Sequence, residues 1–277
     1  ANETREAAIN YMNRFALIGW QVPAGKSFTY RLMPGSSRRN LVDEGNYRGV
    51  LYTQYSRNNL YTDEEKYQTV IDKLLESEEK DLPDNALYGS DCSSSTSYAW
   101  RYAMEAGSSD MFLKYEMDSG RKTAYRTYIY AKDAFDRPAG QTAGNTGTYD
   151  FVNRVGWYGS VNPAGYNRDT KTVVEKLEKQ TYPKRGFYYN IYAQMKPGDM
   201  VVHNYPKSST VQMGHIRMVN RVYIKTNDDG SINPDKSCVF VTEQTSTTAS
   251  GDPDGENYRT TWRVDKRYSF RKLKDTY

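Results

Sequence analysis

The sequence predicts an α+β fold in which helices come first and an antiparallel sheet follows. Apolar residues recur at helical spacing in three segments before residue 107, and the chain switches to β-branched and aromatic runs after residue 196. The two patterns do not alternate as a βαβ succession would, which excludes a parallel α/β sheet. At 277 residues one domain carrying an insertion is the expected organisation. Its parts are a helical N-terminal region over 1–87, a single helix in 88–107, an insertion over 108–190 and an antiparallel sheet over 195–277.

Residues 3–20 form the first helix, with Ala7, Ala8, Tyr11, Met12, Phe15 and Ile18 on one face. The stretch 24–61 reads as irregular. Thr62 opens a second helix over about 63–80, acidic in its first turn, with Val70, Ile71, Leu74 and Leu75 as the buried stripe. Leu82-Pro83-Asp84 ends it. Asp91-Cys92-Ser93-Ser94-Ser95 then precedes Tyr98, Ala99, Tyr102, Ala103 and Met104, which sets Cys92 in the first turn of a helix closed by Gly107. The Tyr-rich insertion carries short helices near 148–156 and 169–181 and a Gly/Pro-rich loop at 137–147. Strands follow at 200–202, 216–224, 238–242 and 258–270, separated by turn clusters such as Asn227-Asp228-Asp229-Gly230.

Composition excludes several functions. With 38 Lys+Arg against 34 Asp+Glu, interspersed, the net charge of +4 implies no nucleic-acid partner. No apolar run is long enough for a transmembrane helix. Gly25-Lys26-Ser27 lacks the glycine spacing and preceding strand of a phosphate loop, and no zincin, paired C-x-x-C or G-x-S-x-G motif occurs. Asn227-Asp228-Asp229-Gly230 lacks the spaced ligands of a calcium loop and reads as a hairpin turn. No metal or organic cofactor is implied. The 26 tyrosines predict a surface rich in phenol groups. Ala1 in place of Met is what removal of a secretory signal peptide leaves, as does any other trimming.

The chain has two Cys and two His, so thiol or imidazole chemistry must pass through Cys92, Cys238, His203 or His215. A thiol attacks as its thiolate, and the start of a helix lowers its pKa and offers N–H donors to an oxyanion. Cys92 has that setting. The alternatives for it are a buried small hydrophobe or a Cys92–Cys238 disulfide. His215, opening a strand in Met213-Gly214-His215-Ile216-Arg217-Met218-Val219, is the candidate base. A structural strand histidine is the alternative. His203, before Asn204-Tyr205-Pro206, sits where its strand is expected to end.

Taken together, Asp91-Cys92-Ser93 opening a helix, Lys196-Pro197-Gly198-Asp199-Met200-Val201 and Gly214-His215-Ile216 resemble the NlpC/P60 and CHAP group of papain-like cysteine peptidases and amidases. The resemblance implies a papain-like fold whose nucleophile helix packs on an antiparallel sheet that supplies the His and a polar third residue. Val239-Phe240-Val241-Thr242-Glu243-Gln244-Thr245 resembles the CHAP strand bearing a Glu, which nominates Glu243 to orient His215. Alternation puts Val239, Val241 and Glu243 on one face and Gln244, the runner-up, on the other; an exposed strand Glu is the further alternative. Arg48-Gly49-Val50-Leu51-Tyr52 resembles the segment whose Tyr lines the active site, so Tyr52, Asp91 and Ser93 are the expected substrate-side residues. The likeness covers 88–106 and 195–246. Ser94 stands where a Gly often follows Asp-Cys-Ser, and the Cys-to-His interval is longer than in compact members.

What the resemblance implies is a hydrolase, secreted or held in the bacterial cell envelope; a monomer is the expectation. It would cleave amide bonds of peptidoglycan or cell-wall peptides as an endopeptidase or amidase. The alternatives are a transglutaminase-like acyltransferase and a non-catalytic, Tyr-rich carbohydrate-binding module whose cysteines are joined. The sequence leaves open the scissile bond, the role of the insertion, the oligomeric state and the choice between Glu243 and Gln244.

Overall fold

The computed structural model describes residues 2–55, 63–87, 89–103, 189, 192–193, 195–206, 212–251 and 257–276. The insertion expected over 108–190, apart from Tyr189, lies outside the described residues, as does the helix stop at Gly107. The chain is a mixed α+β protein with an antiparallel-rich sheet, divided into two compact units. The first comprises Ala1–Ile9, Ala99–Val241 and Asp265–Tyr277; the second comprises Asn10–Tyr98 and Thr242–Val264.

In the second unit the end of helix α1 (Asn2–Leu17) buries Met12, Phe15 and Ala16, on the face that its periodicity predicts. It stops short of residue 20 because the chain turns at Ile18 into strand β1 (Gly19–Val22). The stretch expected to be irregular is instead two strand pairs. Here β1 lies antiparallel to β4 (Gly45–Arg48), and β2 (Phe28–Arg31) lies antiparallel to β3 (Arg39–Val42). These strands are four residues long, too short for a period to stand out, although Phe28 and Tyr30 do alternate with half-buried Thr29 and Arg31. Trp20 stacks on Tyr47 with centroids 4.2 Å apart. Gly25-Lys26-Ser27 is part of the β1–β2 connection.

Asp63 caps helix α2 (Glu64–Glu76) by accepting from the Lys66 N–H at 3.2 Å, so the helix is shorter at both ends than expected. Its buried stripe is Tyr67, Ile71 and Leu75, with Val70 and Leu74 only half-buried. The helix also seals the outer edge of β1. Glu64 accepts from the Gly19 N–H at 3.1 Å, and the Gln68 amide both accepts from Gln21 N and donates to Gln21 O at 2.9 Å. A side-chain amide thereby occupies the ladder positions that a further strand would use.

Two long strands, β7 (Cys238–Gly251) and β8 (Tyr258–Ser269), contribute residues to both units. In the second unit the strand order is β1-β4-β8-β7, and β4 pairs with β8 in parallel, Tyr47 opposite Arg259. In the first unit the order is β8-β7-β6-β5, with β5 (Met200–Pro206) antiparallel to β6 (Gln212–Tyr223). Consecutive strands are neighbours there, the meander that the sequence predicts. Helix α4 (Phe270–Thr276) replaces the expected end of the last strand and buries Phe270 and Leu273. Asn227–Gly230 is a turn, closed by Gly230 N donating to Asn227 O at 3.0 Å.

The Lys196-Pro197-Gly198-Asp199 turn is fixed by a buried ion pair. Arg5 Nη1 donates to Asp199 Oδ1 at 2.7 Å and to Pro197 O at 2.9 Å, while Asp199 Oδ2 accepts from Lys196 N at 2.9 Å. Gly198 N donates to Val219 O, and Val219 N to Asp199 O, each at 2.7 Å, which sets the register of β5 on β6.

Among the described residues most tyrosines serve as core, while Tyr102 and Tyr223 are exposed. Tyr30, Tyr47, Tyr52, Tyr67, Tyr98, Tyr192, Tyr258 and Tyr268 are all buried, their rings serving as core in a chain poor in aliphatic residues. No helix of the described residues is long and apolar enough to cross a membrane.

Candidate active site

Cys92 is the first residue of helix α3 (Cys92–Ala103), as its sequence setting predicts. The helix starts there because Asp91 and Ser94 cap each other. Asp91 Oδ1 accepts from Ser94 N at 2.8 Å, and Ser94 Oγ accepts from Asp91 N at 2.9 Å. Ser95 N donates to Asp91 O at 3.1 Å, the first intrahelical bond. Asp91 is 4% exposed, so its role is to build the turn rather than to face bulk solvent. Ser95 and Thr96 donate their hydroxyls back to Cys92 O at 3.1 and 3.3 Å and are themselves buried. Neither cysteine is in a disulfide, Cys92 being half-buried and Cys238 buried, so the disulfide weighed for a binding module is not formed.

The approach to Cys92 is held as tightly as the helix start. Ser90 N donates to Leu51 O at 3.1 Å and Thr53 N to Ser90 O at 2.9 Å, forming a parallel bridge in which Tyr52 is the partner of Ser90. Tyr52 is thereby set beside the residues leading into the thiol; its hydroxyl accepts from Gln54 Nε2 at 2.9 Å. Only glycine fits at 89, where a Cβ would overlap Leu51 O. The Ser90 hydroxyl donates to Gln244 Oε1 at 2.5 Å. Gln244 Nε2 in turn donates to Val50 O at 2.8 Å and to Thr261 Oγ1 at 3.2 Å.

Glu243 is 1% exposed on β7, which overturns the alternative of a solvent-facing strand Glu. Val239 and Val241, on its face by alternation, are fully buried, but so are Thr242 and Gln244 on the other. The strand is covered on both sides at this level, so alternation alone did not distinguish a core face. Tyr52, Asp91, Cys92, Ser93, Glu243 and Gln244 all belong to the second unit, and His215, half-buried on β6, belongs to the first.

Sequence reasoning set His203 aside as lying at a strand end. Strand β5 instead continues through Pro206, and the ladder pairs His203 directly with His215. Proline is tolerated there because β5 closes one end of the strand order.

Two groups near β4 have displaced titrations. The Arg259 guanidinium, hydrogen-bonded to Asp43, holds that carboxyl below the ordinary range. Burial pushes the Tyr47 phenol up to about 12, partly offset by Arg259 above its ring. Neither group is part of the Cys92 turn. An open groove of about 620 Å³ beside β1 is lined by Leu17, Trp20, Arg48, Glu64 and Tyr258 among others. No group of three or more potential metal ligands occurs among the described residues.

Fold and site together define an α+β protein with a half-exposed thiol at a capped helix start, backed by a buried polar network. No family model, curated protein or solved structure matches the chain.

Proposed function

We propose that the protein is a secreted, papain-like cysteine hydrolase that cleaves amide bonds of bacterial cell-wall peptides. The observation that carries the reading is Cys92 itself. It is in no disulfide and half-exposed, and it opens a helix whose start is fixed by the Asp91–Ser94 cap. First-turn N–H groups of a helix lack intrahelical acceptors, so they favour a thiolate and can receive the oxyanion of a tetrahedral intermediate. In the reaction, the Cys92 sulfur attacks the amide carbon and the thiol proton passes to His215. His215 returns that proton to the leaving amine as the C–N bond breaks. Water then adds to the thioester, again with His215 as base, releasing the acid and the thiol. Glu243 is assigned to orient His215, and the likeness of the Val239–Thr245 strand to the CHAP strand bearing a Glu supports this role.

That Cys92 and Cys238 are not joined disfavours the disulfide-bearing carbohydrate module. The test is incubation with purified peptidoglycan fragments followed by mass spectrometry. Cleavage that falls by about 10⁴-fold or more in Cys92→Ala supports the proposal; turnover unchanged in that variant refutes it. Incorporation of an added amine in place of water would move the assignment to an acyltransferase.

A further inference from the structure

We propose that Ser90 and Gln244 are positioning residues that hold the Cys92 turn in register, and that Gln244 serves the nucleophile rather than the histidine. This rests on Cys92 being the nucleophile. Gln244 is fully buried, and its side-chain groups are committed within one unit: the carbonyl to Ser90 Oγ, the amide nitrogen to Val50 O and Thr261 Oγ1. Val50 O also accepts from Trp262 Nε1 at 2.9 Å. One amide thereby ties three segments together: the approach to α3, the 50–53 segment and β8. Ser90 is fixed on every side, its hydroxyl by Gln244 and its backbone by Leu51 and Thr53. Two residues later the chain must present Cys92 at the first helical position.

The consequence for chemistry follows from how quickly the field of a helix start decays. Its effect on a charge is confined to the first turn and depends on that turn being formed. If Ser90 loses its anchor, the Asp91–Ser94 cap has no fixed base and the first turn frays. The thiolate then loses the donors that favour it. A buried amide with every group occupied is also costly to disturb from either end, so the two ends of the Ser90–Gln244 bond should act as one unit.

The probe is iodoacetamide alkylation of Cys92 against pH, followed by peptide mass spectrometry on the full chain, with buried Cys238 as the slow internal reference. It requires no knowledge of the substrate. Ser90→Ala and Gln244→Met are each expected to raise the alkylation midpoint by about one pH unit, slowing the reaction about tenfold at pH values below both midpoints. The double variant should be no slower than the slower single one. Circular dichroism identifies variants that remain folded, and Ser90→Ala, which deletes one oxygen, is the milder perturbation. Variants that melt at lower temperature yet keep the wild-type alkylation profile overturn the inference, as does loss of folding in both. A wild-type Cys92 with an ordinary thiol profile sinks the nucleophile reading with it, whereas a depressed wild-type midpoint untouched by either variant sinks the positioning role alone.

Discussion

The Arg5–Asp199 pair offers the sharpest stability test, because both partners are deep enough that solvent screening does not blunt it. Their side chains are 7% and 1% exposed, and the contact is 2.7 Å. In Arg5→Met the aliphatic stem is kept, while the hydrogen bonds to Asp199 Oδ1 and Pro197 O are lost. Removing one partner of a buried pair costs about 3–5 kcal/mol, since the other charge stays desolvated. Asp199 retains the Lys196 N–H, which places the expected loss near the lower end, about 3 kcal/mol. Urea unfolding followed by circular dichroism reads this directly. The double variant Arg5→Met/Asp199→Leu should be more stable than the sum of the single losses predicts, with a coupling of about 2 kcal/mol. Raising salt from about 0.1 M to about 1 M should leave the difference nearly intact, unlike a surface pair. A loss below about 1 kcal/mol, the range of exposed pairs, would mean that backbone bonds alone hold the turn and that the reasoning is wrong.

Gly49 sits at φ +78°, where a Cβ would overlap the Trp262 ring and lie 2.8 Å from Ala16 O. Gly49→Ala should therefore cost about 3 kcal/mol from left-handed strain plus overpacking, read as a lower urea midpoint; a loss under about 1 kcal/mol would show that the backbone relaxes freely. For Asp43 the folded pKa is depressed, chiefly by the Arg259 hydrogen bond. Its stabilising contribution is present above the unfolded value of about 3.9 and is lost as pH falls through the folded one. Carboxyl-resolved NMR titration should show the Asp43 midpoint moving up toward about 3.9 in Arg259→Gln, and an unmoved midpoint would remove Arg259 as the cause.

The parts of the fold legible in the sequence are those with a long period or a chemical stop. Helix α1 spans several turns with Met12 and Phe15 at helical spacing, and the acidic first turn of α2 and the Asp91-Cys92-Ser93 start of α3 are local signals, although the cap of α2 is Asp63 rather than Thr62. Strands β1 to β4 were hidden because each gives only four residues, and their pairing depends on partners distant in sequence, such as Arg259 opposite Tyr47. Arg5 had no local signature either. A lone arginine in an amphipathic helix reads as surface until the chain brings Asp199 to it.

The same distinction explains what the sequence could and could not assign at the candidate site. Cys92 was legible because its chemistry is local: a cap, a helix start and a thiol lie within four residues. Glu243 and Gln244 were not separable, since adjacent strand residues exchange roles whenever both faces are covered, as they are here. Hydrogen-bond accounting separates them where periodicity fails. Gln244 has its carbonyl and its amide nitrogen committed to Ser90, Val50 and Thr261, a pattern that no spacing rule in the sequence encodes. A polar residue at a buried position is therefore assigned a role by which partners it engages, and the Cys92 alkylation profile of Gln244→Met is where that assignment meets measurement.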